Sequence, residues 1–475
     1  MKPQEINKRG TRHKKLSTGR RGGFALIGNR VFRSVSPLVV TLPHFLRSLA
    51  SRNYRLYFAG QCTSLVGNWM TSTAAAWLAY SLTGSPFIVG LVGFANQIPV
   101  FILAPFAGVW IDHLDSLRLV RVTQVLAMLQ SAALAVFALT GHMTATVLIV
   151  LCFLQGLVNA VDWPARQTLT FRLADENAPL ENVIALNSIT FNLARLVGPA
   201  VAGFVIAGVG PGGCFAVDAA SYLAVLAALR AVRLQPAASR ARGARPLAEF
   251  RDGVRYAWRN PRIRRVLLMI PVIGLAGFGH SILAPVFAGE VFHGGPRTLG
   301  FLLAATGAGA LVTGVFLGSR ESAEGLERLP VVGAVIGGAG LCLLALPAGE
   351  GVGLLCFAAA GMGGVLVMVA SNTLLQSLVE DEKRGRVLGL MTMGQSFFPI
   401  GSLLVGALAE GVGPRLAILA CGVVCLIAAL LFSGSEAGPK SGALTPRGGR
   451  SPGTPGGWLP LPNPPLPTGS GRQPR

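Results

Sequence analysis

Long apolar runs with short polar interruptions occupy the chain from Leu56 to Phe432. About twelve such runs of roughly 20 residues are present, and each is long enough to cross a hydrocarbon layer as an α-helix. The runs do not alternate apolar with polar residues, as the strands of a membrane barrel do. Because lipid cannot satisfy a bare backbone, the pattern predicts helices. The predicted spans are 56–80, 86–109, 118–140, 144–165, 184–208, 213–232, 266–289, 298–318, 329–347, 352–378, 387–409 and 414–433.

The spans fall into two sets of six, and the second and eighth spans resemble each other in sequence. At a spacing of 210 residues, Gly90 aligns with Gly300 and Gly108 aligns with Gly318. Two halves of like topology are typical of secondary transporters that are built from parallel repeats. The sequence therefore predicts an all-α integral membrane protein with twelve transmembrane helices in two six-helix pseudo-repeats.

Changes in composition divide the chain into five segments. Two helical bundles are predicted at 51–232 and 266–433, and the segment between them, 233–265, is predicted to be a basic linker. Residues 1–50 form a basic N-terminal tail. Residues 434–475 are rich in Gly and Pro, which predicts a disordered tail.

The overall composition excludes several classes of protein. Only 13% of the residues are charged, against about 25% in soluble domains, so an ordinary cytosolic enzyme is not expected. Hydrophobic residues make up 52% of the chain, which is too many for a disordered protein. No phosphate-binding loop is present, and the cysteines lack metal-ligand spacing. We therefore expect no enzymatic activity, no cofactor and no bound metal.

The net charge of +21 is concentrated in the tails and in short loops, a pattern that suits anionic lipid headgroups better than nucleic acid. Twenty lysines and arginines lie at the ends where even-numbered spans finish, whereas only Arg297 and Arg415 follow odd-numbered spans. Positively charged loops stay in the cytoplasm. We expect a multi-pass protein of the cytoplasmic membrane with both termini in the cytoplasm. Membrane lipids are expected partners, nucleic acid is not, and a monomer is a sufficient unit.

Polar residues share helix faces within several spans, and such faces need water or other polar groups beside them. Gln155 and Asn159 lie four residues apart in the fourth span, and Asn192 and Arg195 lie on one face of the fifth. The second half of the chain is less polar. The predicted wall of a substrate cavity comprises Gln61, Asn68, Gln155, Asn159, Asn192, Arg195, His280, Asn372 and Gln376.

Several ionisable side chains lie within predicted spans. A charge at the depth of Arg195 costs roughly 2.5–3.5 kcal/mol on insertion scales, so this residue indicates either function or an ion pair with an acid such as Asp162. Asp162 lies four residues before Arg166, which is the spacing of a helical ion pair. Asp162, Asp218 and His280 are candidates for proton coupling. The alternatives are a local cap or ion pair for Asp218 and a packing role for His280.

Two signatures resemble those of the major facilitator superfamily of transporters. The loop after the second span, which includes Gly108, Asp112 and Arg118, is similar to the signature at that position in the superfamily. The pair Gly198-Pro199 resembles the fifth-span signature of its antiporters. The resemblance implies that these residues take part in gating, with Asp112 and Arg118 closing the cytoplasmic side.

More specific stretches resemble one branch of that superfamily, which contains the enterobactin exporter and macrolide efflux proteins. They are residues 45–61, the sequence Asp162-Trp-Pro-Ala-Arg166-Gln167, and residues 185–199. The resemblance implies proton-linked export of small amphiphilic molecules by alternating access. We expect Asp162 and Arg166 to act as a charge switch near the cytoplasmic mouth, in a gating set of Gly108, Asp112, Arg118, Asp162, Arg166, Gly198 and Pro199.

Two other functions stay open from the sequence. The apolar second half also suits transport of a lipid-like substrate such as a lysophospholipid. A scaffold or sensor that works through its tails and linker, without transport, is the alternative from another class of protein.

Overall fold

A computed structural model describes residues 48–173, 180–232, 246–320, 325–395 and 397–433, except for the side chains of 104–113, 180–181, 246–250 and 381. The predicted C-terminal tail and nearly all of the predicted N-terminal tail lie outside the described residues. The predicted gating residues Gly108 and Asp112 lie outside the described side chains.

The first half of the described chain is a bundle of six helices. They are α1 (Arg52–Thr83), α2 (Pro86–His113), α3 (Ser116–Leu139), α4 (Ala145–Leu173), α5 (Leu180–Val209) and α6 (Pro211–Ala231). Helix α1 packs against α5 and α6, α2 packs against α4, and α3 packs against both α4 and α6. We call the end of the bundle at which α1 begins the near end, and the end at which α1 finishes the far end.

Short polar and glycine residues mark where these helices begin and end. The side chain of Ser51 accepts a hydrogen bond from the backbone N–H of Tyr54 at the start of α1, as an N-cap residue does. Helix α1 ends at Gly84, whose φ of 63° is left-handed, the usual conformation of a glycine C-cap. Asp115 caps α3 by accepting from the N–H of Leu117 at 3.2 Å.

The second half contains more helical segments because two of its spans are interrupted. Its segments are α7 (Pro246–Arg259), α8 (Pro261–Ala276), α9 (Gly279–Val286), a π-helical turn (Phe287–Val291), α10 (Pro296–Gly318), a 3₁₀ turn (Leu326–Arg328), α11 (Leu329–Leu344), α12 (Glu350–Leu378), α13 (Asp381–Gln395), α14 (Phe398–Val412) and α15 (Pro414–Ser433). Helix α7 lies inside the segment for which we predicted a linker, and it packs against α13 and α8.

Eleven stretches of the described chain are long and apolar enough to cross a membrane, and no strand occurs in the parts that the structure describes. The all-α integral membrane fold is thereby confirmed. Helix α1 is 32 residues long but lies outside this set of eleven, and its polar residues, among them Gln61 and Asn68, reduce its hydropathy. The twelfth span therefore stays a prediction that rests on α1.

The seventh predicted span, 266–289, is not one continuous helix. Helix α8 begins earlier, at Pro261, and ends at Ala276; two residues that are not helical, Gly277 and Phe278, separate it from α9. The π-helical turn then follows directly on α9. Interrupted helices and π turns are frequent at functional sites of transporters, because they leave backbone groups available to a substrate or ion.

The two halves are joined by two pairs of helices, α5 with α10 and α2 with α14. Glycines allow the backbones to meet: a Cβ added at Gly203 would lie 2.8 Å from the carbonyl oxygen of Pro296 and 3.1 Å from the Cα of Gly300. In the second pair, the hydroxyl of Ser402 donates to the carbonyl oxygen of Gly90 at 2.6 Å. Small residues commonly support such close helix contacts in membranes.

The contact between α5 and α10 is confined to part of their length. Gly300 and Gly307 of α10 lie directly against α5, where a Cβ at Gly307 would be 2.8 Å from the Cα of Leu196. Gly314 and Gly318 lie on the same face of α10, towards the near end. A Cβ added at either of them would meet nothing within 4 Å. The two helices therefore diverge towards the near end.

Alanine substitutions at Gly203 and Gly314 should have opposite effects on stability. At Gly203 the new methyl group meets backbone atoms of α10, and overpacking of this kind costs about 1–3 kcal/mol. At Gly314 the methyl group meets nothing, and replacing a helical glycine stabilises by roughly 0.5–1 kcal/mol. The measurement is the unfolding temperature of each purified variant. Shifts of the same sign would contradict the described helix contact.

Candidate functional site

Asp162 and Arg166 form a buried ion pair on α4, in the part of the first half that lies towards the near end. The Arg166 Nε lies 2.5 Å from the Asp162 Oδ2, and a second guanidinium nitrogen also contacts that oxygen. Their side chains are 3% and 14% exposed. The predicted helical ion pair is thereby confirmed, whereas its role as a switch stays a prediction.

Helix α3 supplies two further donors to Asp162. The Thr123 hydroxyl donates to its Oδ1 at 2.5 Å, and the Gln124 amide donates to the same oxygen at 3.0 Å. The carboxylate thus joins α3 to α4 through charged and neutral hydrogen bonds. A buried carboxylate is costly unless it is fully paired, so sliding of α3 along α4 would break these bonds at a cost in free energy. The arrangement therefore fixes the position of α3 relative to α4.

Asp115 is a second charged group at the near end, and it is not among the residues predicted from the sequence. Its carboxylate lies 3.3 Å from the guanidinium of Arg172 on α4 and 3.8 Å from that of Arg118. The Arg118 side chain is 85% exposed, so its ion pair with Asp115 is weak. A signal was present in the sequence, since an acid directly before a helix and basic residues nearby predict a capping ion-pair cluster.

Asp218 is buried between three helices of the first half and is 1% exposed. Its Oδ2 accepts hydrogen bonds from Thr71 of α1 at 2.9 Å and from Ser131 of α3 at 2.8 Å. Gly67 of α1 leaves room for the carboxylate, because a Cβ there would lie 2.6 Å from its Oδ1. The acid has no cation within 4.0 Å in the described part of the chain. The local ion pair that we considered for Asp218 is absent there, and hydroxyl groups take its place.

Arg195 lies against aromatic side chains rather than an acid. Its guanidinium carbon is 5.8 Å from the ring centroid of Trp69, which is within the range of a cation–π contact. Phe191 of α5 contacts Trp69 at 5.8 Å and Trp163 of α4 at 6.0 Å between ring centroids. We call these four residues the arginine–aromatic cluster. The predicted alternative, an ion pair between Arg195 and Asp162, is wrong, because Arg166 pairs with that carboxylate.

None of the three rings of this cluster was predicted from the sequence. Aromatic residues in an apolar span are usually core residues, so composition alone does not single them out. Weak signals existed: Trp163 follows Asn159 by four residues on one face of α4, and Phe191 immediately precedes Asn192.

The other polar residues predicted for the first half mostly bond within their own helices. The Gln155 amide donates to the Asn159 side chain at 3.0 Å, and the Asn192 amide donates to the Ser188 carbonyl oxygen at 2.8 Å. Gln61 is buried on α1, and Asn68 is half-buried on the same helix. Gln61 Oε1 has no partner within the described part of the chain.

The second half contributes one buried and two exposed residues of the predicted set. His280 on α9 is 1% exposed; its Nε2 lies 3.1 Å from the hydroxyl of the adjacent Ser281, and its ring meets that of Phe357 at 5.4 Å. Asn372 and Gln376 on α12 are exposed and hydrogen-bonded to each other. The structure therefore does not bring His280 and these amides into one contact network.

Gly198 and Pro199 lie where α5 meets its neighbours. A Cβ added at Gly198 would be 2.5 Å from the Cβ of Trp69, and one added at Gly300 would be 2.7 Å from the carbonyl oxygen of Pro199. Gly198 thus allows Trp69 to approach α5, whereas Pro199 takes part in the contact between the halves. Within the described residues no group of three potential ligands could hold a metal ion.

These features define a class of protein: a multi-pass membrane transporter whose two helical halves are joined by close helix pairs. The chain belongs to the family described as transmembrane secretion effector, within the major facilitator superfamily, and the family match covers residues 46–444.

Curated relatives and solved structures agree with this assignment. The chain is 25% identical over 389 residues to a staphyloferrin A transporter of Staphylococcus aureus, and the match covers 80% of this chain and 95% of that protein. It is 27% identical over 377 residues to the multidrug efflux pump Tap of Mycolicibacterium fortuitum, with 77% and 91% covered. The nucleoside transporter NupG shares the fold with a TM-score of 0.62 at 14% identity, over 82% of this chain and 98% of that one.

Proposed function

We propose that this protein exports a small amphiphilic molecule across the cytoplasmic membrane by alternating access, driven by protons that move in the opposite direction. The near end would face the cytoplasm, as the distribution of lysines and arginines indicates. The named activities of two relatives, a staphyloferrin A transporter and a multidrug efflux pump, support a small-molecule cargo.

The observation that carries the proposal is the unequal contact between the halves. At the far end the Ser85 hydroxyl donates to the Glu410 carboxylate at 2.8 Å, and the Phe87 N–H donates to it at 3.2 Å. At the near end Gly314 and Gly318 of α10 meet nothing within 4 Å. Among the described residues, α5 and α10 thus meet towards the far end and diverge towards the near end. Contact at one end and a gap at the other is the asymmetry that alternating access requires.

The first half also contains groups that suit the coupling of export to protons. Asp218 is a buried acid that is held by neutral hydroxyl groups, so it accommodates a proton without breaking an ion pair. Asp162 is tied to Arg166, and rearrangement of that pair would accompany movement of α3 against α4. Buried ionisable groups in membrane spans commonly form proton relays.

Transport in everted membrane vesicles tests the proposal directly. Vesicles that contain the protein should accumulate at least one compound from a panel of cationic dyes, macrolides and catecholate siderophores. The accumulation should require a proton gradient in which the vesicle lumen is more acidic than the medium. An uncoupler should abolish the accumulation, because the gradient is its source of energy.

Vesicles from cells without the protein provide the baseline, and immunoblotting verifies that the protein is present in the membrane of the test vesicles. Accumulation that persists after the uncoupler would contradict proton coupling while leaving transport intact. Absence of any flux with the protein present in the membrane would count against export, and labelled lysophospholipid would then be the next substrate to measure.

A further inference from the structure

Arg195 is a charged side chain at mid-depth in a membrane span without a carboxylate partner. Within the described residues no acid forms an ion pair with it, and its guanidinium carbon lies 5.8 Å from the centroid of the Trp69 ring. A charge at this depth is costly and is normally paired or functional. A guanidinium presents a planar fork of donors that matches a carboxylate, so the missing partner has a definite chemistry.

The neighbouring acids do not provide Arg195 with a carboxylate partner. Asp162 is neutralised by Arg166 and receives two further hydrogen bonds. Asp218 is enclosed between α1, α3 and α6, where it receives hydrogen bonds from hydroxyl groups. Neither acid is available to Arg195. An anionic ligand would therefore be attracted to Arg195, whereas a cation would be repelled.

The rings beside Arg195 form a continuous apolar surface. Trp69, Phe191 and Trp163 follow one another at 5.8 and 6.0 Å between centroids and come from three different helices. Trp163 is 53% exposed although it belongs to this cluster, so one ring of the surface is accessible. Offset and edge-to-face contacts with such rings bind a planar aromatic molecule.

The arginine–aromatic cluster thus places an unpaired guanidinium beside a row of aromatic rings, of which Trp163 is accessible. We propose that the arginine–aromatic cluster is a binding subsite for aromatic anions, in which Arg195 pairs with a carboxylate while Trp69, Phe191 and Trp163 contact the ring. This inference rests on the proposed export function for its biological meaning, and it narrows the cargo from amphiphilic molecules in general to aromatic molecules with negative charge.

Equilibrium binding to the purified full-length protein tests the subsite without requiring transport. The probes are 2-naphthoate, 2-naphthalenemethanol and 2-naphthylmethylammonium, which share one ring system and differ in charge. The wild type should bind 2-naphthoate about tenfold more tightly than the ammonium probe, as a charge-assisted hydrogen bond provides. Arg195→Gln should remove this preference and leave binding of the neutral alcohol unchanged.

Three further variants separate charge, ring contact and general disturbance. Arg195→Lys should retain the preference for 2-naphthoate. This result would show that the loss in Arg195→Gln comes from the missing charge and not from misfolding caused by substitution at this position. Trp163→Ala should weaken all three probes by about two- to tenfold, the value of an aromatic contact. Arg297→Gln is the matched control, since Arg297 also lies over an aromatic ring, Phe204 at 5.7 Å, but near the start of α10. It should bind all probes like the wild type.

The results distinguish this inference from the proposed function. Equal affinity of the wild type for 2-naphthoate and the ammonium probe, or unchanged selectivity in Arg195→Gln, would overturn the subsite. Selective binding of 2-naphthoate that depends on Arg195 supports the subsite, even where vesicles show no proton-driven flux; in that case only the export function fails.

Discussion

The Asp162→Asn variant is expected to lose about 3–5 kcal/mol of stability, because it leaves Arg166 charged, buried and without its carboxylate. The asparagine still accepts hydrogen bonds from Thr123 and Gln124, so the loss reports the missing charge rather than missing donors. Arg166 is 14% exposed, and it has little water with which to replace its partner. The measurement is the unfolding temperature of the purified protein, compared with that of the wild type.

The double variant Asp162→Asn/Arg166→Gln should recover most of this stability. Both charges are then absent, and an amide pair four residues apart on α4 has a precedent in Gln155 and Asn159, which are joined at 3.0 Å. Export by this stable double variant should nevertheless stay low, because the pair that we expect to rearrange between conformations has been removed. The double variant therefore distinguishes the contribution of this ion pair to stability from its contribution to transport.

Asp115→Asn serves as the control for loss of an acid at the same end of the protein. Its ion pairs are partly exposed, so it should cost no more than about 1 kcal/mol. If Asp162→Asn were as stable as this control, the buried pair would not be the structural element that we describe. Wild-type export by the double variant would refute a switching role for Asp162 and Arg166.

Features that depend on spacing within one helix could be predicted from the sequence. Asp162 and Arg166 are four residues apart, and the long apolar runs specify membrane helices. Contacts between distant segments could not be predicted in this way. Thr123 and Gln124 reach Asp162 from 39 and 38 residues away, and no periodicity within α4 indicates which face of α3 lies against it.

The contacts of the arginine–aromatic cluster also join distant segments, and they too could not be predicted from spacing within one helix. Arg195 stood out because a charge in an apolar span is rare, but Trp69, Phe191 and Trp163 resemble ordinary core residues until the fold brings them together. Gly198, which leaves room for Trp69 beside α5, is distinguished in the sequence only by its resemblance to a family signature. Its physical role depends on the packing of α1 against α5, which a single sequence does not reveal.

The hydropathy pattern also does not predict the interruption between α8 and α9. The whole stretch Pro261–Val291 is apolar enough to be one span, and hydropathy is insensitive to where the backbone hydrogen bonds stop. Gly277 and the prolines of this stretch weaken the helix without fixing where it breaks. The location of the break therefore depends on the surrounding helices as well as on the local sequence.

The Asp218→Asn variant is expected to stop net proton-driven export while leaving the fold intact. Asparagine has the shape of the neutral acid and accepts hydrogen bonds from Thr71 and Ser131 in its place, so the contacts between α1, α3 and α6 are retained. It cannot release a proton, however, and a carrier that needs both protonation states to complete its cycle then remains in one of them. Net efflux from proteoliposomes should fall to the level of liposomes without protein.

Exchange of labelled for unlabelled cargo at equal proton concentrations should continue in Asp218→Asn, because exchange requires the cargo-bound forms to interconvert but no net proton movement. This pairing of lost net efflux with retained exchange distinguishes a proton-carrying residue from one that merely supports the fold, whose loss would reduce both. Glu290→Gln is the matched control, since it removes an exposed acid near the far end, and it should retain both activities. If Asp218→Asn retained wild-type net efflux that an uncoupler still abolished, the proton-carrying role would belong to another group. Asp162 would then be the next residue to test.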